Sequence, residues 1–391
     1  MNPRPIVPGV SLAGAIDWDR KLFDSLIPLP EGTTYNAYIV QGSEKTALID
    51  TVDPSKIDVL MSQLDTVPHL DYVIVQHAEQ DHSGVLPDVL ARYPEAVIVT
   101  NPKAKELLLE HLDLASDRFR TVADGETLSL GDKTLRFVYL PWVHWPETMG
   151  TYLEEDHILF SCDFFGSHRA QSRMFAEPCI VLDGAKRYYA ESMMPFRGYI
   201  IKNLEKLSGM QIDMICPSHG PVYNDPGFIV DAYRDWAGGP ARNKVTLPFV
   251  SMHGSTLKMV DRLTDDLTER EVRVERFDLT SADIGDIAMS LVDAATIVIG
   301  TPAVLTGPHP ATIEIAYLAG ALRPKAMYAS IIGSFGWGQR IADVLGDLIA
   351  PIKAELLTPV LARGDPDPAD MDAVDVLADT IVARHRDAGL L

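Results

Sequence analysis

The chain has 391 residues, 47% hydrophobic and 23% charged, which is the composition of globular domains and a length that suits two cores rather than one. Its 34 basic and 55 acidic side chains leave a formal charge of -21, spread over both halves, and so exclude nucleic acid and anionic membrane surfaces as partners by repulsion. Cys162, Cys179 and Cys216 lie far apart and form no C-x-x-C pair, so no disulfide framework and no rubredoxin-type iron site is written here, and a reduced, cytoplasmic setting is expected. The N-terminus leads into no apolar signal region, and no run approaches the ~18 apolar residues that span a bilayer, so neither export nor membrane insertion is expected.

In chain order, Tyr35–Val40 and Thr46–Asp50 read as two strands joined by the turn 41–45, a hairpin. Asp58–Leu64 reads as a short helix, and Tyr72–Val75 as a buried strand. Then come the helix Val85–Tyr93, the strand Ala96–Thr100 and the helix Lys103–His111, an alternation that marks a layered α/β domain. Strands follow at Leu128–Leu130 and Leu135–Leu140, then at His157–Ser161 and Ile212–Cys216. Helix-like Ile229–Trp236 gives way to Gly and Pro over 237–243, which sets a domain boundary at 243/244. From Val245 onward strands (Val245–Val250, Arg273–Phe277, Thr296–Ile299, Met327–Ile332, Glu355–Leu357) alternate with helices, the last of them Asp370–Arg386. That is the pattern of a doubly wound sheet.

The stretch Gln76-His77-Ala78-Glu79-Gln80-Asp81-His82-Ser83-Gly84 puts four side chains able to bind metal within six residues, directly after a strand. A helix would send His77, Glu79 and Asp81 to diverging faces, so an irregular loop is expected to carry them. Three further strands also end at a candidate: His144, Asp163 and His219. Taken alone, His144 or His219 reads as a structural histidine. Together, four histidines and three acids at strand ends point to a two-metal site. Imidazole suits iron and zinc alike, but a carboxylate-rich set without thiolate leans toward a harder, redox-active metal such as iron. Leu22, Phe23, Trp142, Trp145, Phe164 and Phe165 are candidates for lining its pocket, with core packing as the alternative for each.

In the second half, Ser251-Met252-His253-Gly254-Ser255-Thr256 follows a strand and opens a helix, where hydroxyls and backbone N–H groups suit a phosphate dianion. Ser and Thr are also ordinary helix caps. Two more loops after strands, Thr301-Pro302-Ala303-Val304-Leu305-Thr306-Gly307 and Ser334-Phe335-Gly336-Trp337-Gly338, would open at the same edge of a parallel sheet. Three loops at one edge make a cofactor pocket.

His77-x-Glu79-x-Asp81-His82 with distant His144, Asp163 and His219 resembles the metallo-β-lactamase fold over residues 30–225. Hydrolases of that fold have His where this chain has Glu79; the carboxylate version resembles the flavodiiron proteins, whose second domain is flavodoxin-like. The resemblance implies a metallo-β-lactamase-like αββα sandwich over 1–243 and a flavodoxin-like doubly wound parallel sheet over 244–391. It further implies two irons, one held by His77, Glu79 and His144 and the other by Asp81 and His219, with Asp163 bridging and His82 a ligand in only some members. FMN would take its phosphate at Ser251–Thr256 and its ring between Thr301–Gly307 and Ser334–Gly338, with Trp337 as a stacking candidate. His253 departs from the usual aromatic there, and Ala303 and Val304 replace the aromatic and Asn residues often seen. The implied activity is reduction of O₂ to water or NO to N₂O in a head-to-tail homodimer. Electrons would come from an external donor: a rubredoxin, a deazaflavin cofactor or a flavin reductase. Two other readings stay open from the residues alone. A dizinc hydrolase is opposed by Glu79 and the second domain, and a plain electron carrier leaves seven candidate ligands unexplained.

Overall fold

Alternation along the strand Thr33–Gln41 shows how the first half is layered. Ala37 and Ile39 join a core with Leu60, Leu64, Leu86, Val89 and Leu108 from the neighbouring helices, whereas Tyr38 and Val40 join one with Phe137, Met149, Leu153 and Phe160 from a second sheet. The order is therefore helices, sheet, sheet. The computed structural model describes residues 2–391. They form two units, one running to Tyr189 and resuming over Phe196–Ala237, the other made of Ala190–Pro195 and Gly238–Leu391.

In the first unit, a seven-stranded sheet takes the order Arg4–Val7, Val10–Asp17, Thr33–Gln41, Thr46–Ile49, Tyr72–Ile74, Val97–Thr100, Phe119–Thr121. Its first half is antiparallel and its second half parallel. The facing sheet runs Thr127–Ser129, Thr134–Tyr139, Met149–Leu153, Ile158–Cys162, Met214–Pro217. The sequence reading assigns no element to Val10–Asp17, which forms an eight-residue strand. Gly14 is needed there: a Cβ would meet the Tyr35 carbonyl oxygen at 2.0 Å, and the Gln63 side chain bonds both its N–H (2.7 Å) and its C=O (2.9 Å).

The second unit is a parallel sheet in the order Arg273–Asp278, Arg242–Phe249, Ala294–Val304, Tyr328–Phe335, with Glu355–Leu356 and Val360–Arg363 both paired to the last. In sequence numbering that is 2-1-3-4-5, the flavodoxin-like order, whose switch point lies between the first and third strands. The helices Ser255–Glu269 and Pro368–Asp387 share a core with this sheet. Glu355–Leu356 and Val360–Arg363 are one edge strand broken at Pro359, which has no N–H to give the ladder. The boundary lies at Ala237/Gly238 rather than at 243/244, since Arg242 already pairs with Ala294 and its N–H bonds the Asp293 carbonyl at 2.7 Å.

Candidate metal centre and flavin cavity

Strand direction explains why distant residues meet. Thr46–Ile49, Tyr72–Ile74 and Val97–Thr100 are mutually parallel, and His77 and Glu79 leave the C-terminal end of the middle one. Across the sandwich, Thr134–Tyr139, Ile158–Cys162 and Met214–Pro217 share one direction, because the first reaches the second through two antiparallel pairings and the second pairs parallel with the third. Their ends deliver His144, Asp163 and His219. The bends are tight: Asp50, Trp142, Cys162 and Phe165 hold φ of 56°, 64°, 54° and 68°.

Asp163 is the shared residue. Its Oδ2 lies 3.6 Å from Nε2 of both His77 and His144, and its Oδ1 lies 3.2 Å from His82 Nε2 and 3.4 Å from His219 Nε2. Around Oδ2, Glu79 Oε2 sits 3.0 Å from His77 and 3.2 Å from His144. Around Oδ1, Asp81 sits 3.3 Å from His82 and 3.2 Å from His219. Ligand atoms ~2.1 Å from a common ion stand ~3.0–3.4 Å from one another, which is close to the spacing found.

The donor and acceptor inventory also asks for cations. His219 Nδ1 lies 2.7 Å from the Thr34 carbonyl oxygen, which can only accept, so Nδ1 carries the proton and Nε2 turns a lone pair toward Asp81 and Asp163. Glu147 does the same for His77, with Oε1 2.7 Å from Nδ1 and 3.1 Å from the Ala78 N–H. Acceptors thus face acceptors, and both oxygens of Asp81 and Asp163 and the His82 Nε2 are buried without a hydrogen-bond partner. Without cations, protons must compensate. Burial disfavours the imidazolium of His77, His82 and His219, yet the surrounding carboxylates outweigh it and raise all three, His219 to about 10. Burial likewise opposes ionisation of Glu79 and Asp163, but the histidines hold both well below the ordinary carboxylate range. Two divalent ions would replace those protons, and nitrogen with carboxylate oxygen and no thiolate suits iron.

All seven candidates meet here, with two differences from expectation. Asp81 and His82 sit on a one-turn helix, Gln80–Ser83, rather than in an irregular loop, held by Ser83 Oγ donating to the Ala78 carbonyl at 2.9 Å. Phe23 and Trp145 reach ligand rings, at 6.5 Å from His219 and 4.9 Å from His77, but Trp142 stacks on Phe196, Leu22 is exposed, and Phe164 and Phe165 stack on each other against Tyr233 in the core. Asp50, His82 and Cys162 also cluster. That cluster is a network, since both Asp50 oxygens accept from Gln76 at 2.8 Å and burial pushes the Cys162 thiol up.

In the second unit a cavity of about 360 Å³ is lined by Ser251, Met252, His253, Ser255, Thr256, Pro302, Ala303 and Ser334–Trp337. Gly254 has φ 93° and makes the turn into the helix, and Ser251 Oγ accepts from the N–H groups of Gly254 and Leu257, both at 3.2 Å. Thr256 and Ser334 hydroxyls, 3.1 Å apart, tie the first loop to the third. Thr301, Gly307 and Gly338 do not line the cavity. The second loop is in fact the end of a strand that runs to Val304 and turns back through Leu305 and Thr306 onto Gly307–Pro308, and the buried Thr301 hydroxyl accepts from the His309 N–H. A larger cavity of about 510 Å³, against Leu207 and Val230 in the first unit, takes in Phe165 but none of the candidate metal ligands or cofactor-loop residues.

Residues 33–220 match the ODP family beta lactamase. The chain is 33% identical over 366 residues to a nitric oxide reductase of Moorella thermoacetica, covering 91% of this chain and 92% of that one. It is 35% identical over 359 residues to a coenzyme F420H(2) oxidase of Methanothermobacter marburgensis, covering 88% of each. The solved rubredoxin oxygen:oxidoreductase of Desulfovibrio gigas superposes with a TM-score of 0.95 at 29% identity, covering 99% of each chain. This chain is a flavodiiron protein.

Within that family frame, three residues that the sequence reading passed over stand beside the candidates. Glu147, three positions after His144, is a fully buried acid whose Oε1 is shared by His77 and the Ala78 N–H. His168 is buried with its ring 4.8 Å from His219 and its Nδ1 2.9 Å from Thr33 Oγ1; burial and the neighbouring His219 push it far down, so it is neutral. Asp365, in a fourth loop after Val360–Arg363, joins the lining of the second unit's cavity, and its carboxylate oxygens lie 2.7 and 2.8 Å from Lys258 Nζ. A buried acid is the one signal that could have found the first.

Proposed function

We propose that this flavodiiron oxidoreductase passes electrons from an external donor through FMN to a diiron centre that reduces O₂ to water, NO to N₂O, or both. The observation that carries the reading is Asp163, with one oxygen toward each of two ligand sets. When bound, two irons supply redox change and open coordination positions, and FMN supplies one- or two-electron steps. His77, Glu79 and His144 would hold one iron, Asp81 and His219 the other, with Asp163 between them and His82 on the side of the second. Glu147 and the Thr34 carbonyl fix which nitrogen of His77 and His219 is free to bind. Phe23 and Trp145 exclude water from the ligand rings. In the flavin cavity, Ser251, Ser255, Thr256 and Ser334 would hold the phosphate side, and Pro302, Ala303, Phe335 and Trp337 would meet the ring.

The donor we infer is a separate protein or cofactor, since no cysteine pair able to hold iron occurs in the chain. The reading extends to a cytoplasmic head-to-tail homodimer. The homodimer is supported by Met252 and Trp337, which line the cavity yet are 50% and 80% exposed.

Purification without oxygen, followed by metal and flavin analysis, tests the reading. Two irons and one FMN per chain, with reductant-dependent consumption of O₂ or NO, are expected. Zinc without flavin would overturn it in favour of a hydrolase.

A further inference from the structure

Among the described residues lining the second unit's cavity, Asp365 is the one carboxylate, and no lysine or arginine lines the cavity with it. The fold fixes where it stands. Gly364, with φ of 85°, donates its N–H to the Phe335 carbonyl at 2.8 Å, and Arg363 Nε donates to the Gly336 carbonyl at 3.4 Å, so the fourth loop is tied to the third. Two residues beyond Asp365, Asp367 caps the helix Pro368–Asp387 through a reciprocal pair of bonds with Asp370, at 3.0 and 3.1 Å.

Held from both sides, the carboxylate meets the first turn of the helix Ser255–Glu269. Its Oδ1 accepts from Lys258 Nζ at 2.8 Å and from Ser255 Oγ at 3.4 Å, and its Oδ2 accepts from Lys258 Nζ at 2.7 Å. That turn holds no acid of its own, and its N–H groups and dipole favour an anion. Ser255 and Lys258, three positions apart, share a helix face, so the ammonium group lies within reach of an anion placed at Ser255. Asp365 occupies it instead. With the two side chains 57% and 63% exposed, the ion pair is solvated and weak, and the flexible stem of the lysine lets it change partner. A phosphate monoester, with about twice the charge of a carboxylate and three acceptor oxygens, is the stronger claimant.

We propose that Asp365 and the phosphate of FMN compete for Lys258, so that the cofactor binds by taking over the lysine's ion pair and Asp365 sets how tightly the flavin is held, a role that rests on the reading of Ser251–Thr256 as the phosphate loop. Full-length protein stripped of flavin, titrated with FMN and separately with riboflavin while flavin fluorescence is followed, tests it. Asp365→Asn should bind FMN ~10-fold more tightly than the wild type and Lys258→Met ~10-fold more weakly. Riboflavin, which has no phosphate, should bind all the proteins alike. The gain from Asp365→Asn should shrink when Lys258 is already Met, because no lysine is then left to release; simple repulsion between Asp365 and the phosphate would keep that gain or enlarge it. FMN affinity unmoved in either single variant, riboflavin affinity shifted as much as that of FMN, or a gain undiminished in the Lys258→Met background would each overturn the proposal. Wild-type protein that binds FMN no better than riboflavin would refute the phosphate loop itself, and the competition with it, whereas a clear preference for FMN with unmoved variants would refute the competition alone.

Discussion

Glu147 Oε1 lies 2.7 Å from His77 Nδ1, with both side chains fully buried, so a carboxylate that never reaches the metal decides how a ligand meets it. The same oxygen takes the Ala78 N–H at 3.1 Å, pinning the backbone between His77 and Glu79. Glu147→Ala should therefore weaken iron binding ~10–100-fold, and Glu147→Gln, which can still accept both bonds, should weaken it less. Chelator competition measures this. Equal affinity in Glu147→Ala and the wild type would remove the residue from the metal site.

Asp163→Asn should bind no more than one iron per chain. An amide offers one oxygen acceptor where the carboxylate offers two, and its NH₂ group would point at the lone pairs of one ligand set. Metal analysis of the purified variant against the wild type checks it, and two retained irons would show that Asp163 is not shared.

Gly254→Ala should weaken FMN binding about tenfold. No atom lies within 4 Å of the added Cβ, so the cost comes from φ 93° alone, ~1–2 kcal/mol for a left-handed residue. Quenching of flavin fluorescence on titration gives the dissociation constant. An unchanged value would mean that the loop need not keep this conformation to hold the phosphate.

His385 makes the second unit sensitive to acid. Its Nε2 lies 2.7 Å from Thr296 Oγ1 and its Nδ1 2.8 Å from Asn243 Oδ1, and burial lowers its pKa to about 4. A histidine lowered in the folded state binds protons more readily when unfolded. Its contribution is therefore full above the ordinary value of about 6.5, declines as pH falls toward about 4, and changes no further below that. Urea unfolding of the wild type and His385→Gln at pH 7.5 and pH 4.5 should show a smaller acid loss in the variant. Parallel losses would assign the acid sensitivity to the carboxylates alone.

The candidate ligands were legible because each follows a run of β-branched or aromatic residues that reads as a strand, and strands end at edges. His77, Glu79, Asp81, His82, His144, Asp163 and His219 needed no more than that to be collected. Their division into two sets was not legible from spacing, because it depends on which oxygen of Asp163 faces which ring. Glu147 and His168 were missed for a related reason: a buried acid and a neutral histidine look ordinary until their neighbours are known. In the second unit, Pro359 hid half of an edge strand and with it the loop bearing Asp365. Thr301 to Val304 read as a loop, yet the parallel ladder runs on to Pro302, which pairs with Ser334, and the strand continues to Val304 against Gly307.

The two sheets of the first unit contribute unequally by sequence but equally by ion. His77 and Glu79 come from one sheet and His144 and Asp163 from the other, and Asp81 and His82 face His219 and Asp163 in the same way. Each ion would thus be a rivet through both layers of the sandwich. Metal release and parting of the sheets would then be a single event, so the lifetime of the loaded centre against a chelator should follow the unfolding rate of the unit.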